Sequence, residues 1–87
     1  MYIVYFLYSK KRNNVYVGCT SNIEERLKQH NKGLVKSTKN RLPLLLIYKE
    51  KYDKLSLARK REDYLKSLYG SRERKIITQQ NLKKLEM

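Results

Sequence analysis

YVGCTSNIEERLKQHN, residues 16–31, passes from a β-type run into a helical one, and its reading decides the fold. Val15 to Thr20 is rich in the β-branched and aromatic residues that suit a pleated strand. Ser21 with Glu24 fits a capping box ahead of a helix over Ile23 to Lys32, and Gly33 stands where that helix would end. Upstream, Tyr2 to Ser9 is a second β-type run, and the intervening KKRNN supplies turn chemistry, so the chain opens on a β-hairpin. A four-residue loop from Lys10 to Asn13 pairs Ser9 with Asn14. That register sets Tyr5 opposite Gly18 and Leu7 opposite Tyr16, which makes the two tyrosines diagonal neighbours on one face. A loop one residue longer or shorter sends them to opposite faces.

Downstream, Gly33 to Arg41 is polar and basic, and Pro43 closes this loop before a strand-like run from Leu44 to Tyr52. Lys54 to Tyr69 carries Leu55, Ala58, Leu65 and Tyr69 at helical spacing and is stopped by Gly70. A short last helix is predicted over Arg72 to Thr78. The remaining stretch, Gln79 to Met87, has only Leu82, Leu85 and the final Met as large apolar side chains, so it is expected to pack weakly as a helix or to fray. The order strand, strand, helix, strand, helix, helix predicts an α+β domain over residues 1–78, a three-stranded antiparallel sheet with helices packed on it, followed by a tail over 79–87.

With 87 residues there is room for one small core and no second domain. A net charge of +13, from 21 Lys and Arg against 8 Asp and Glu, repels itself in a compact chain and is best used to attract a polyanion. The basic residues run along the whole chain instead of decorating one helix, which favours nucleic acid over a lipid surface. Cys19 is the only cysteine, so an internal disulfide is excluded, and no spaced Cys/His pairs suggest structural zinc. The apolar start of the chain is too short to span a membrane and carries its positive charges after the apolar run, the wrong order for a secretory signal. A reducing, cytoplasmic setting is the expectation.

Two helical stripes carry polar groups that a plain core would not. Arg26 and His30 share the stripe of Ile23 and Leu27, and Glu62 shares that of Leu55, Ala58 and Leu65. A carboxylate among core positions requires a cation or hydrogen-bond donors. On their own these residues admit plainer readings: Arg26 and Glu62 as an ion pair between helices, His30 as a satisfied interior histidine, the tyrosines as packing residues with one wet end, and Cys19 as an inert small core residue.

Taken together, Ile3-Val4-Tyr5, Tyr16-Val17-Gly18, Glu24-Glu25-Arg26-Leu27 with His30, and Ala58-Arg59-Lys60-Arg61-Glu62 resemble the GIY-YIG nuclease superfamily in order and spacing. The resemblance spans nearly the whole chain and is nearest to short single-domain members related to the N-terminal nuclease module of the excision-repair protein UvrC and to the Slx-type nucleases. It implies the GIY-YIG fold and an endonuclease that hydrolyses DNA phosphodiester bonds with Mg²⁺ or Mn²⁺, structure-selective and acting in repair or recombination.

By the same resemblance, one of Tyr5 and Tyr16 would activate the attacking water. Arg26 would hold the scissile phosphate, and His30 would orient or deprotonate the nucleophile. Glu62 would bind the metal, sufficient as a lone carboxylate when substrate phosphate supplies further oxygens. Lys10, Lys36, Lys39, Arg41 and Arg59 are the expected contacts to nucleic acid. The pattern departs from the family at three points: Ile3 replaces the first glycine, Cys19 stands where some members carry a lysine, and a late asparagine has no secure counterpart, Asn81 included. The last two keep open a second reading, a catalytically silent nucleic-acid-binding module. RNA is a possible substrate, a partner protein could supply targeting, and a monomer is the favoured state.

Overall fold

The computed structural model describes residues 1–85. Tyr2–Ser9 (β1) and Asn14–Thr20 (β2) form the expected hairpin, with Ser9 opposite Asn14, Leu7 opposite Tyr16 and Tyr5 opposite Gly18. Asn13 closes the loop at φ 51°, a left-handed conformation that asparagine tolerates, and its side-chain oxygen accepts a bond from the Tyr8 hydroxyl at 2.8 Å. Leu44–Tyr52 (β3) pairs antiparallel on the other side of β1, which gives the sheet order β2-β1-β3. A bulge opposite Phe6 and Leu7 inserts Ile47 into β3.

Because β1 is central, both of its faces are covered. Val4 and Phe6 pack with Val17, Ala58 and Leu65 under two helices, Leu55–Lys66 (α2) and Ser71–Leu85 (α3). Tyr5, Leu7 and Leu44 pack with Ile23 and Leu27 under the first helix, Ile23–Asn31 (α1). The fold is the α+β arrangement that the sequence predicts, a three-stranded antiparallel sheet with helices on both faces.

Several boundaries differ from expectation. The cap of α1 is Asn22, not Ser21: its side chain accepts from the Glu25 N–H at 3.1 Å, one residue later than a capping box from Ser21 would place it. At the other end Gly33, at φ +77°, donates to the His30 carbonyl while Leu34 donates to that of Gln29, the paired bonds of a Schellman turn. Helix α2 stops at Lys66, and Tyr69 is 89 % exposed instead of continuing the buried stripe. Helix α3 runs on past Thr78 to Leu85, because no glycine or proline follows Thr78 and Ile77 and Leu82 keep it half-buried against the body. The tail is helical through residue 85, one of the two outcomes expected for it, and residues 86–87 lie outside the described part.

Candidate active site

The site is assembled on the α1 face of the sheet. Tyr5 is 1 % exposed and His30 fully buried, and the Tyr5 hydroxyl lies 3.0 Å from His30 Nε2. The space for that hydroxyl exists because residue 18 is glycine: a Cβ there would stand 2.4 Å from Tyr5 Oη. On its other side His30 Nδ1 is 2.8 Å from Thr38 Oγ1, and the Thr38 hydroxyl donates onward to the Val35 carbonyl at 3.4 Å. With its proton so directed, Thr38 accepts from Nδ1–H, which leaves Nε2 as the acceptor for Tyr5 O–H.

Burial sets the protonation of this chain. Loss of solvent, reinforced by the Arg26 charge, holds His30 down at about 4, so it is neutral near pH 7. Burial likewise pushes Tyr5 up to about 12, against the opposing pull of Arg26, so it stays a phenol. The resting state is a neutral relay: Tyr5 O–H to His30, and His30 N–H to Thr38.

Tyr16 completes the cluster at the exposed side, its ring centroid 6.4 Å from that of Tyr5 and 5.2 Å from that of His30. Two cations stand over its ring, Arg41 at 5.9 Å and Lys66 at 5.3 Å from the centroid. Arg41 is held there by its backbone, whose carbonyl accepts from the buried Ser9 hydroxyl at 2.7 Å. Arg26 donates one N–H to Gln29 at 3.0 Å and also faces the Tyr5 hydroxyl, which leaves part of its five-donor fork open.

Glu62 approaches from α2 on the opposite face, and its charge is felt at both Tyr5 and Cys19. Its Oε2 accepts from Lys66 at 2.8 Å, so the helix-to-helix ion pair with Arg26 is absent among the described residues and a pair within α2 replaces it. No group of three His, Cys, Asp or Glu that could hold a metal occurs among the described residues. A hard cation at Glu62 would need oxygens from elsewhere, which suits an ion that arrives with a phosphate.

Of the expected nucleic-acid contacts, Lys10, Lys36, Lys39 and Arg59 are exposed and Arg41 is half-buried over Tyr16. Arg59 lines, with Arg26, Gln29, Cys19 and Tyr2, an open cleft of about 420 Å³. Cys19 itself is half-buried, and burial pushes its thiol up, with Glu62 adding to the effect, which suits an inert role. Asn81 donates to the Ile77 carbonyl of its own helix at 2.8 Å and is not brought to the site.

Sequence reasoning missed Thr38 and Lys66. Thr38 gave no signal, being one polar residue in a basic loop. Lys66 is four residues after Glu62 on a helix, a spacing that announces an ion pair.

Residues 1–76 match the family model described as the GIY-YIG catalytic domain. The chain belongs to the GIY-YIG family. Among its relatives, a UPF0213 protein of Clostridium perfringens is 36 % identical over 84 residues, spanning 95 % of this chain and 89 % of the relative. One from Staphylococcus haemolyticus is 38 % identical over 68 residues, 77 % of this chain and 83 % of the other. The solution structure of a UPF0213 protein from Bacillus halodurans superimposes with a TM-score of 0.57 at 25 % identity, covering 93 % of this chain and 87 % of that one. Membership places this GIY-YIG chain among the nucleases, a family generally metal-dependent and directed at nucleic acid. No helix among the described residues is long and apolar enough to cross a membrane.

Proposed function

We propose that this GIY-YIG protein is a divalent-metal-dependent endonuclease that hydrolyses DNA phosphodiester bonds, selecting DNA by structure in repair or recombination. The observation that carries the reading is the Tyr5–His30–Thr38 relay seated under Gly18, with Tyr16 and Arg26 at its open side. A buried neutral chain of this kind rigidifies the groups above it.

Tyr16 is the phenol that solvent reaches, and so the one that can release its own proton to solvent and then, as phenolate, take a proton from an attacking water; the buried Tyr5 holds the relay in place. Arg26 offers the rest of its fork to the scissile phosphate, where it offsets the charge that grows in the transition state. Arg41 and Lys66 flank the same position with positive charge. Glu62 would hold Mg²⁺ or Mn²⁺ jointly with a substrate oxygen, and the ion supplies charge neutralisation at the reacting phosphate. Lys66 occupies Glu62 when no metal does, so the carboxylate is not left unpaired. Lys10, Lys36, Lys39 and Arg59 extend the basic surface along the strand. The protein acts as a monomer that nicks one strand at a time.

The test is cleavage of labelled flap, splayed-arm, duplex and single-stranded DNA with Mg²⁺, Mn²⁺ or EDTA, using the parent and Glu62→Ala. Metal-dependent product that disappears in Glu62→Ala, with DNA binding retained, supports the reading. Product that persists in the mutant sinks it. Cys19 in the lysine position favours one other outcome, salt-sensitive binding with no product from either protein, which would mark a silent binding module. A parallel ribonucleotide strand separates DNA from RNA.

A further inference from the structure

The turn between α2 and α3 presents Leu68 and Tyr69 side by side at 91 % and 89 % exposure, the most solvent-facing large apolar pair among the described residues. This is not a loose loop. Ser67 Oγ donates to the Tyr64 carbonyl at 2.7 Å and accepts from the Gly70 N–H at 3.3 Å, and Ser71 Oγ donates to the Leu68 carbonyl at 2.8 Å. Arg74 ties the turn to the Leu65 carbonyl. Gly70 is buried, and a Cβ there would meet the Tyr64 carbonyl oxygen at 2.0 Å, so the backbone is folded tightly beneath the pair. A braced turn that holds two large apolar side chains in water gains nothing within the chain from doing so.

Its position indicates what would cover it. Lys66, the last residue of α2, reaches over the Tyr16 ring, and Tyr69 follows three residues later, within roughly 11 Å of chain. The next turn of chain, with Arg72 and Lys75, lines a cleft together with Asn13, Asn14 and Val15, which lead into Tyr16. Along the chain the apolar pair is flanked by Lys66, which stands over the Tyr16 ring, on one side and by Arg72 and Lys75 on the other. Positive charge around an exposed ring matches a polyanion whose bases have flat faces.

We propose that Leu68 and Tyr69 form a wedge on which unpaired bases stack, a few nucleotides from the scissile phosphate, giving preference for single-stranded or branched nucleic acid over continuous duplex. This rests on the nucleic-acid reading above and deepens it by assigning where structure selectivity is read. In blunt duplex the bases are already stacked on one another, so the wedge gains contact only by unstacking them.

The experiment is fluorescence anisotropy with labelled single-stranded, splayed-arm and blunt duplex DNA, in the Glu62→Ala background so that no strand is cut. Leu68→Ser/Tyr69→Ser should weaken binding to the first two by about 10- to 100-fold and to blunt duplex by much less, with an unchanged salt slope. Tyr69→Trp should keep the affinity and lose indole fluorescence on single strands, a signature of ring–base contact. Because both side chains are exposed, melting of the double variant should match that of its parent. Equal affinity of variant and parent on every DNA overturns the wedge, as does an equal loss on all of them. If the Glu62→Ala parent binds no DNA, the nucleic-acid reading falls and the wedge with it; if cleavage depends on Glu62 but the serine variants select DNA as before, the wedge alone falls.

Discussion

The two faces of the sheet each gather tyrosines around a polar centre, and they do so in opposite ways. Under α2 and α3, Glu50 accepts from Tyr48 at 2.5 Å, Tyr52 at 2.7 Å, and Arg61 Nε and Nη2 at 2.9 and 3.0 Å. Burial alone would raise Glu50, but these donors outweigh it and hold the carboxyl below its usual range, while Tyr48 and Tyr52 are pushed up to about 12 by burial and by the bonded carboxylate. Arg61 also pairs with Glu73 on α3. Four donors saturate one carboxylate, so nothing remains for a ligand. Under α1 the relay is neutral and open at one end, where Tyr16 and part of Arg26 remain available. The same residue types thus build a closed cluster that fastens α2 and α3 to the sheet and an open one that can act.

The sharpest way to break this contrast is to cut one group from each cluster. Arg26→Ala should lower the cleavage rate about 10²- to 10³-fold with little change in melting temperature, since it removes a donor aimed at developing charge. Glu50→Ala should do the reverse. It strands a half-buried guanidinium and two phenols and should cost about 3 kcal/mol of stability, less than for a fully buried pair because solvent still reaches the cluster. Its rate per folded molecule should stay near that of the parent. Urea unfolding and single-turnover cleavage of both variants decide the matter; a Glu50 variant that is stable but slow would show that the closed cluster is not merely structural.

Acid separates the faces next. His30 is held near 4 in the fold, against 6.5 when free, so the folded protein binds fewer protons than the unfolded chain between those values. A base with a depressed value contributes stability that is full above pH 6.5 and is lost as pH falls toward 4. The loss from pH 7 to pH 4 should be about 3 kcal/mol. Glu50 adds its share only below its ordinary value of 4.5, so the window from 6.5 to 4.5 isolates the α1 face. Unfolding curves of His30→Gln should be flat across that window, and an unchanged slope would remove His30 as its source.

The contrast also marks what could be read in advance. The hairpin register was legible on the condition of a four-residue loop, which the structure meets, and the family spacing pointed to Tyr5, Tyr16, Arg26 and His30 as one group. The alternation Tyr48, Glu50, Tyr52 on one strand face was equally visible, yet its closure depends on Arg61 arriving from α2, which no local pattern shows. Thr38 was illegible for the same reason. Its place beside His30 depends on how the loop from Gly33 to Arg41 is pinned, through the Ser9 hydroxyl and through Asn31, whose side chain pairs with both backbone groups of Leu44. The length of α3 was missed because its apolar residues are sparse and helix continuation was decided by tertiary contact.

The smallest expected effect tests the fit inside the open cluster. Gly18→Ala leaves the strand backbone unstrained but sets a methyl 2.4 Å from Tyr5 Oη and 2.5 Å from Cζ. An exposed tyrosine would swing aside cheaply. Tyr5 is buried and bonded to His30, so the ring must tilt and lengthen that bond, at about 1 to 3 kcal/mol. Removing the nearer atom should relieve part of the clash: in the Gly18→Ala background, Tyr5→Phe should cost less than it does alone, giving a coupling of at least about 0.5 kcal/mol in a double-mutant cycle. Additive losses would mean that residue 18 and the Tyr5 hydroxyl do not compete for the same space, and the relay would then owe its position to α1 and Thr38 alone.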